Sequence, residues 1–323
     1  MPTVLLAAGV MAPAGVRAAR AVHVELFAPG VVSTGDDDAH ATFTPDGRRL
    51  YFLKDAPNFA HWTIVFTERR GRGWSTPQVA PFSGQYGDGD LSFAPKGDVA
   101  YFISTRPATP GGAARADTDI WRMRRGADGT LGAPEHVDEL SSDGNEWFPN
   151  ATADGWLYFG SERRPGNLGP PGTSDLWRAR LVDGRFGPPE NLGPRFNTAG
   201  EDIEPWISAD GTLLIFSSKG RPDTRGSYDL YASRRCGEEW TEPVNLGDGV
   251  NTAGWEFGGR PTPDGRWLMF TSNRGYTDRP LTRPLSYPEL LRTIRSPGNA
   301  LRDVYRVEMA ALDLACGRAP SSS

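Results

Sequence analysis

Cysteine and histidine are nearly missing, for the 323 residues hold two of one and four of the other. That scarcity excludes the clustered Cys and His ligand sets of zinc modules. Basic side chains are in deficit, 35 Lys and Arg against 40 Asp and Glu, so neither nucleic acid nor an anionic lipid surface is indicated as a partner. Long apolar runs are absent: the stretch Val4 to Val16 falls short of the roughly 20 residues that cross a bilayer. No glycine-rich phosphate loop, dinucleotide fingerprint or nucleophile elbow is present, which leaves the chemistries those motifs serve without support.

What the chain has instead is turn and strand material. Thirty-nine glycines and 28 prolines accompany ten Trp, nine Tyr and fifteen Phe, a composition that favours strands and tight turns and makes helix scarce. It is also periodic. A turn recurs at Asp46-Gly47, Lys96-Gly97, Asp154-Gly155, Asp210-Gly211 and Asp264-Gly265, at spacings of 50, 58, 56 and 54. Such periods point to a propeller or a solenoid.

Each turn is followed by an apolar run ending in Phe52, Phe102, Phe159, Phe216 or Phe270, which reads as a buried strand. A second run follows, Ile64-Val65-Phe66, Asp119-Ile120-Trp121, Asp175-Leu176-Trp177, Asp229-Leu230-Tyr231 and Asp303-Val304-Tyr305. Four copies close on a large apolar residue three before a proline: Trp74 and Pro77, Leu131 and Pro134, Phe186 and Pro189, Trp240 and Pro243. The fifth copy lacks this strand, while a spare strand-like stretch, Val22 to Phe27, precedes the first. Lending that strand to the last copy closes the ring and leaves no free sheet edge. The expected fold is all-β, a five-bladed β-propeller over residues 22–316, closed by an N-terminal strand and expected as a monomer.

The repeat unit also resembles a known family. Ser208-Ala209-Asp210-Gly211 with Phe216-Ser217-Ser218, and Phe270-Thr271-Ser272-Asn273-Arg274, are similar to the WD40-like (PD40) repeats of TolB-type propellers. The resemblance spans nearly all of residues 22–316 and implies an exported binding platform more than a reaction, since a shared fold does not transfer chemistry. It also implies that the recurring pairs Arg106 with Asp119, Arg163 with Asp175, and Arg274 with Asp303 are structural ion pairs.

The first strand of each propeller blade lines the channel, and alternation sends every second residue into it. Eight residues before each turn stands an acid, Asp38, Asp88, Glu146, Asp202 or Glu256. An acidic ring of this kind either takes a cation, with oxygen ligands that suit Ca²⁺, or caps the backbone of its own leading loops. Six before the turn stand His40, Asp90, Phe148, Glu204 and Gly258; four before it, Thr42, Ser92, Asn150, Trp206 and Arg260. Trp147 and Ile203 are read onto the opposite, blade-packing face. Copy one departs from the repeat with His40, His61 and Trp62, and an imidazole titrating near neutrality suits a general base or a binding group. The candidate ligand site is Asp38, His40, His61, Trp62, Asp90, Asn150, Glu204, Trp206 and Arg260, with His40, His61 and Glu204 as candidates if a reaction occurs.

Three further features complete the reading. Met1 to Ala21 has the form of a signal peptide ending Ala19-Arg20-Ala21, without a basic n-region; its removal leaves 33 basic side chains against 40 acidic ones, a net charge of about −7, in a periplasmic or secreted protein. Residues 275–302 form an insertion in copy five, with a short helix after Ser286 and four arginines, Arg279, Arg283, Arg292 and Arg295. It reads either as a lid over the acidic mouth or as a cover for blade edges. Cys236 and Cys316 are either a disulfide pinning the C-terminal tail or two free thiols, and residues 317–323 read as a disordered tail. The function expected is a binding module for a glycan, peptide or cationic small molecule. The alternatives are a carbohydrate hydrolase or lyase at the same mouth, and a cell-envelope scaffold for a protein partner.

Overall fold

A computed structural model describes residues 22–57, 60–275 and 281–316; the expected signal peptide, Arg279 and the last seven residues lie outside them. Five antiparallel sheets follow one another along the chain. Their first strands are Asp37–Phe43, Asp88–Phe93, Glu146–Ala151, Glu201–Ile207 and Glu256–Pro261. Each pairs with the strand after the Asp-Gly or Lys-Gly turn, and that strand pairs with a third. The chain is a five-bladed β-propeller.

The fourth strands are short because of their prolines. Pairing resumes on either side of Pro77, Pro189 and Pro243, as two-residue pieces, since proline has no N–H to give the ladder. In blade five the outer strand is Val24–Leu26 from the N-terminus, paired with Asp303–Glu308. Phe27 and Val32 then enter the apolar cluster between blades five and one.

Four more clusters fill the remaining blade junctions. The second-strand phenylalanines Phe52, Phe102, Phe159, Phe216 and Phe270 are all 1% exposed or less, and burying each contributes about 1.5–3 kcal/mol. Cys236 and Cys316 form a disulfide with Cα atoms 5.8 Å apart. Among the described residues no helix is long and apolar enough to cross a membrane.

The described residues of the insertion include a helix, Tyr287–Ile294, where the Ser286 amide donates to Glu289 at 2.8 Å. Beyond it, Asn299 donates to the Gly35 carbonyl at 3.1 Å and Arg302 pairs with Asp37 at 2.6 Å and with Asp55. The segment is thereby anchored to the loop that leads into blade one.

Candidate functional site

Every first strand breaks register once. The irregularities lie between Ala39 and Thr42, Gly89 and Ser92, Trp147 and Asn150, Ile203 and Trp206, and Phe257 and Arg260. Within each, one residue adopts a left-handed backbone: His40, Asp90, Phe148 and Glu204 at φ 50–57°, and Gly258 at φ 66°. For residues other than glycine this conformation costs about 1–3 kcal/mol and gathers at functional sites. Here the five bulges aim five consecutive blades at one point.

His40 occupies that point. Its Nδ1 lies 2.6 Å from Asp90 Oδ1 and its Nε2 lies 3.2 Å from Glu204 Oε1, while its ring meets Phe148 and Phe257 edge-on. Blade five leaves the room, since a Cβ on Gly258 would stand 2.7 Å from His40 Cδ2. Burial alone would push the imidazole down, but the charges of Glu204 and Asp90 outweigh it and raise its pKa to about 9. His40 is an imidazolium at neutral pH. Burial works on Asp90 in the opposite sense, yet His40, Arg260 and the Phe148 amide, which donates to Asp90 at 2.9 Å, hold its carboxyl below the ordinary range.

Arg260 completes the cluster. Its guanidinium lies 3.7 Å from the centroid of the Phe148 ring, and Nη1 donates to the Leu91 carbonyl at 2.5 Å. Burial lowers its pKa to about 10, against the pull of Asp90 and Glu204, so it too stays charged. Two cations and two carboxylates, from blades one, two, four and five, thus plug the channel with no net charge.

Above the plug, where the first strands begin, is a cup of about 410 Å³. Its floor is His40, Asp90 and Glu204; its walls include Trp62, Trp147, Tyr228, Trp255 and Phe257. At the rim, Tyr228 donates to Glu201 at 2.6 Å and Lys219 Nζ lies 2.6 Å from the same carboxylate oxygen. Below the plug, among the Asp-Gly turns, a second cavity of about 310 Å³ is lined by Thr42, Ser92, Asn150, Trp206 and Arg260.

The candidate residues therefore divide. His40, Trp62, Asp90 and Glu204 come together at the upper cup, whereas Asn150, Trp206 and Arg260 line the opposite cavity. His61 does not join either; it is exposed, with Nε2 3.3 Å from Thr63 Oγ1. Asp38 is fully buried and taken by Lys54 at 2.7 Å and by the amide and hydroxyl of Thr34.

Asp38 shares that fate with the rest of its ring, whose carboxylates are each engaged by neighbouring groups of the chain. Asp88 accepts from Ser104 and pairs with Arg106, both at 2.6 Å. Glu146 accepts from Ser142 and Ser161, Asp202 from the Thr198 amide, and Glu256 from the Thr252 amide and Ser272. Four of the acids, Asp38, Glu146, Asp202 and Glu256, accept from their own leading loops as capping predicts, while Asp88 is held from the end of its second strand. Among the described residues no group of three His, Cys, Asp or Glu side chains is placed to hold a metal ion.

The same bonds correct the expected arginine pairs. Arg106, Arg163 and Arg274 reach the first-strand acids Asp88, Glu146 and Glu256 at 2.6, 3.2 and 3.5 Å. The third-strand aspartates instead fold the loops beside them: Asp119 with Arg115 and His136, Asp175 with the Leu168 amide, Asp303 with the Gly298 amide. None of the insertion's described residues lines the cup, while Ala300, Leu301 and Arg302 line a neighbouring pocket that shares Trp255 with it.

No protein-family model matches the sequence, and none of the curated proteins does. Solved structures do match in shape. A glycoside hydrolase superposes over 93% of this chain and 96% of its own, with 10% identity and a TM-score of 0.55. A thermostable family-43 glycoside hydrolase covers 90% and 95%, with 10% identity and a TM-score of 0.50. A TolB candidate from Agrobacterium tumefaciens shares 14% identity over 85% of this chain and 91% of that one, with a TM-score of 0.47. At such identities the likeness shows the fold alone.

Proposed function

We propose that the protein is an exported binding module that takes a small ligand in the upper cup. The observation that carries this reading is the floor. Buried ion pairs rarely stabilise a fold better than well-packed apolar residues would, and strained backbone persists where surrounding structure enforces it. A cluster with both features, beneath an aromatic cavity of ligand size, supports a binding site over a purely structural core. The Cys236–Cys316 disulfide supports an oxidising compartment outside the cytoplasm.

Carbohydrate hydrolysis is the second reading, favoured by two carboxylates facing one cup. It would require one of them to hold its proton near neutrality. Asp90 is displaced in the other direction, and both acids already face the His40 imidazolium, which supports binding over turnover.

The test is a thermal-shift and tryptophan-fluorescence screen of sugars, short peptides and amines against the wild type and Trp255→Ala, a change at a partly exposed wall. Compounds whose effect disappears in the variant support the cup. Compounds that act equally on both place the ligand elsewhere and contradict it.

A further inference from the structure

We infer that the upper cup selects a cation, specifically an alkylammonium or quaternary ammonium group on an apolar body. The inference rests on the cup being the binding site and names what that site takes. Three observations converge on it.

The first is the wall. Trp62 and Trp147 approach with ring centroids 5.8 Å apart, although they belong to blades one and three, and Tyr228 meets Trp255 edge-on at 6.5 Å. With Phe257 they surround the cavity with π systems whose negative faces attract cations.

The second is the floor, where charge is unevenly distributed. Asp90 and Glu204 line the cup with His40, so two carboxylates meet one imidazolium there. The cation that balances the cluster, Arg260, lies against Phe148 and lines the opposite cavity. The plug is neutral as a whole but negative on its upper side. Glu204 is 7% exposed, and among the described residues its buried Oε2 accepts no hydrogen bond, which leaves its charge to complement a ligand's positive charge through space.

The third is at the rim, where the protein already holds an ammonium in this way. Lys219 Nζ lies 2.6 Å from Glu201 and 5.0 Å from the centroid of the Tyr228 ring. A ring and a carboxylate together bind a cation there, and the cup below repeats that combination on a larger scale. A neutral sugar would be poorly served. The Tyr228 hydroxyl is turned onto Glu201, and both His40 nitrogens face carboxylates. An anion would meet the acidic floor.

The experiment is a fluorescence and calorimetric titration of the intact protein with four probes: choline, its uncharged isostere 3,3-dimethylbutan-1-ol, benzyltrimethylammonium, and cellobiose. The expected result is that a quaternary ammonium binds and the isostere binds at least about tenfold more weakly. Trp255→Ala and, separately, Glu204→Gln should each weaken the ammonium by a similar factor. Trp255→Ala alters a partly exposed ring and keeps the test informative if Glu204→Gln fails to fold. Equal binding of choline and its isostere, or binding of cellobiose without either ammonium, overturns the charge preference while leaving the cup a site. No response to either ammonium also overturns it. The reading of the cup itself fails only if ligands found by screening are indifferent to Trp255→Ala.

Discussion

His40 of blade one and Asp90 of blade two stand 2.6 Å apart in the middle of the channel, both buried. Removing one partner from such a pair strands the other charge in a medium that cannot solvate it, which costs about 3–5 kcal/mol. Asp90→Asn should therefore destabilise the protein by that order, measured by urea unfolding. Asn keeps one acceptor oxygen, enough for the Phe148 amide or for His40 but not for both, so a change below about 1 kcal/mol would show that the cluster is not formed.

Gly258→Ala tests the space that His40 fills. Its new methyl group would meet His40 Cδ2 at 2.7 Å, on a backbone at φ +66°. Gly265 shares the backbone, φ +67°, with nothing within 4 Å of the added carbon. Gly265→Ala should cost only the left-handed conformation, about 1–2 kcal/mol. Gly258→Ala should cost clearly more, and the difference in melting temperature isolates the contact with His40.

Stability should decline with pH across the neutral range. His40 has a folded pKa of about 9 against 6.5 in an unfolded chain, so its contribution is complete below pH 6.5 and is lost as pH rises through 9. Glu146 is pushed up by burial to about 7, from 4.5. The folded state binds that proton more tightly than the unfolded state, and stability falls as pH rises from about 4.5 through 7. Melting temperature against pH should slope downward between pH 5 and 9, with Glu146→Gln flattening the acid part. A rise over that interval would contradict both assignments.

The disulfide between Cys236 and Cys316 spans 80 residues. It pins a tail whose Leu312 is buried between blades four and five and whose Leu314 carbonyl accepts from Arg234 at 2.5 Å. Loop closure on this scale contributes about 3–5 kcal/mol. Melting with and without dithiothreitol should differ by several degrees, as should Cys316→Ser.

Blade count, strand order and ring closure were legible because they follow from repetition: the Asp-Gly turns fix the period, and Val22 to Phe27 is the one strand left over. The acids eight before each turn were visible too, though their spacing could not show that Thr34, Ser142, Thr198 and Thr252 cap the leading loops with them. The site itself was only half legible because of the bulges. Strict alternation puts Asp38, His40 and Thr42 on one face, whereas the register break after Ala39 makes the first a brace, the second the plug and the third part of the lower cavity. The equivalent breaks after Trp147 and Ile203 accompany the placing of those two residues at the cup instead of between blades. Gly258-Gly259 was the one sequence sign of that backbone. His61 and Trp62 are neighbours in sequence, and alternation along a strand separates their side chains. Tyr228, just before Asp229, and Trp255, just before Glu256, carried a readable signal, an aromatic residue beside a bracing acid at a strand start.

The charge of the floor underlies both the reading of the cup and the pH behaviour, and it can be measured directly. Heteronuclear NMR of the four histidine rings, assigned with His40→Asn, gives the His40 pKa in the folded protein. The expected value is about 9, with the imidazole protonated through neutrality and its pKa lowered in Glu204→Gln. A pKa at or below 6.5, the ordinary histidine value, would mean a neutral ring between the two carboxylates and would contradict the account at its centre.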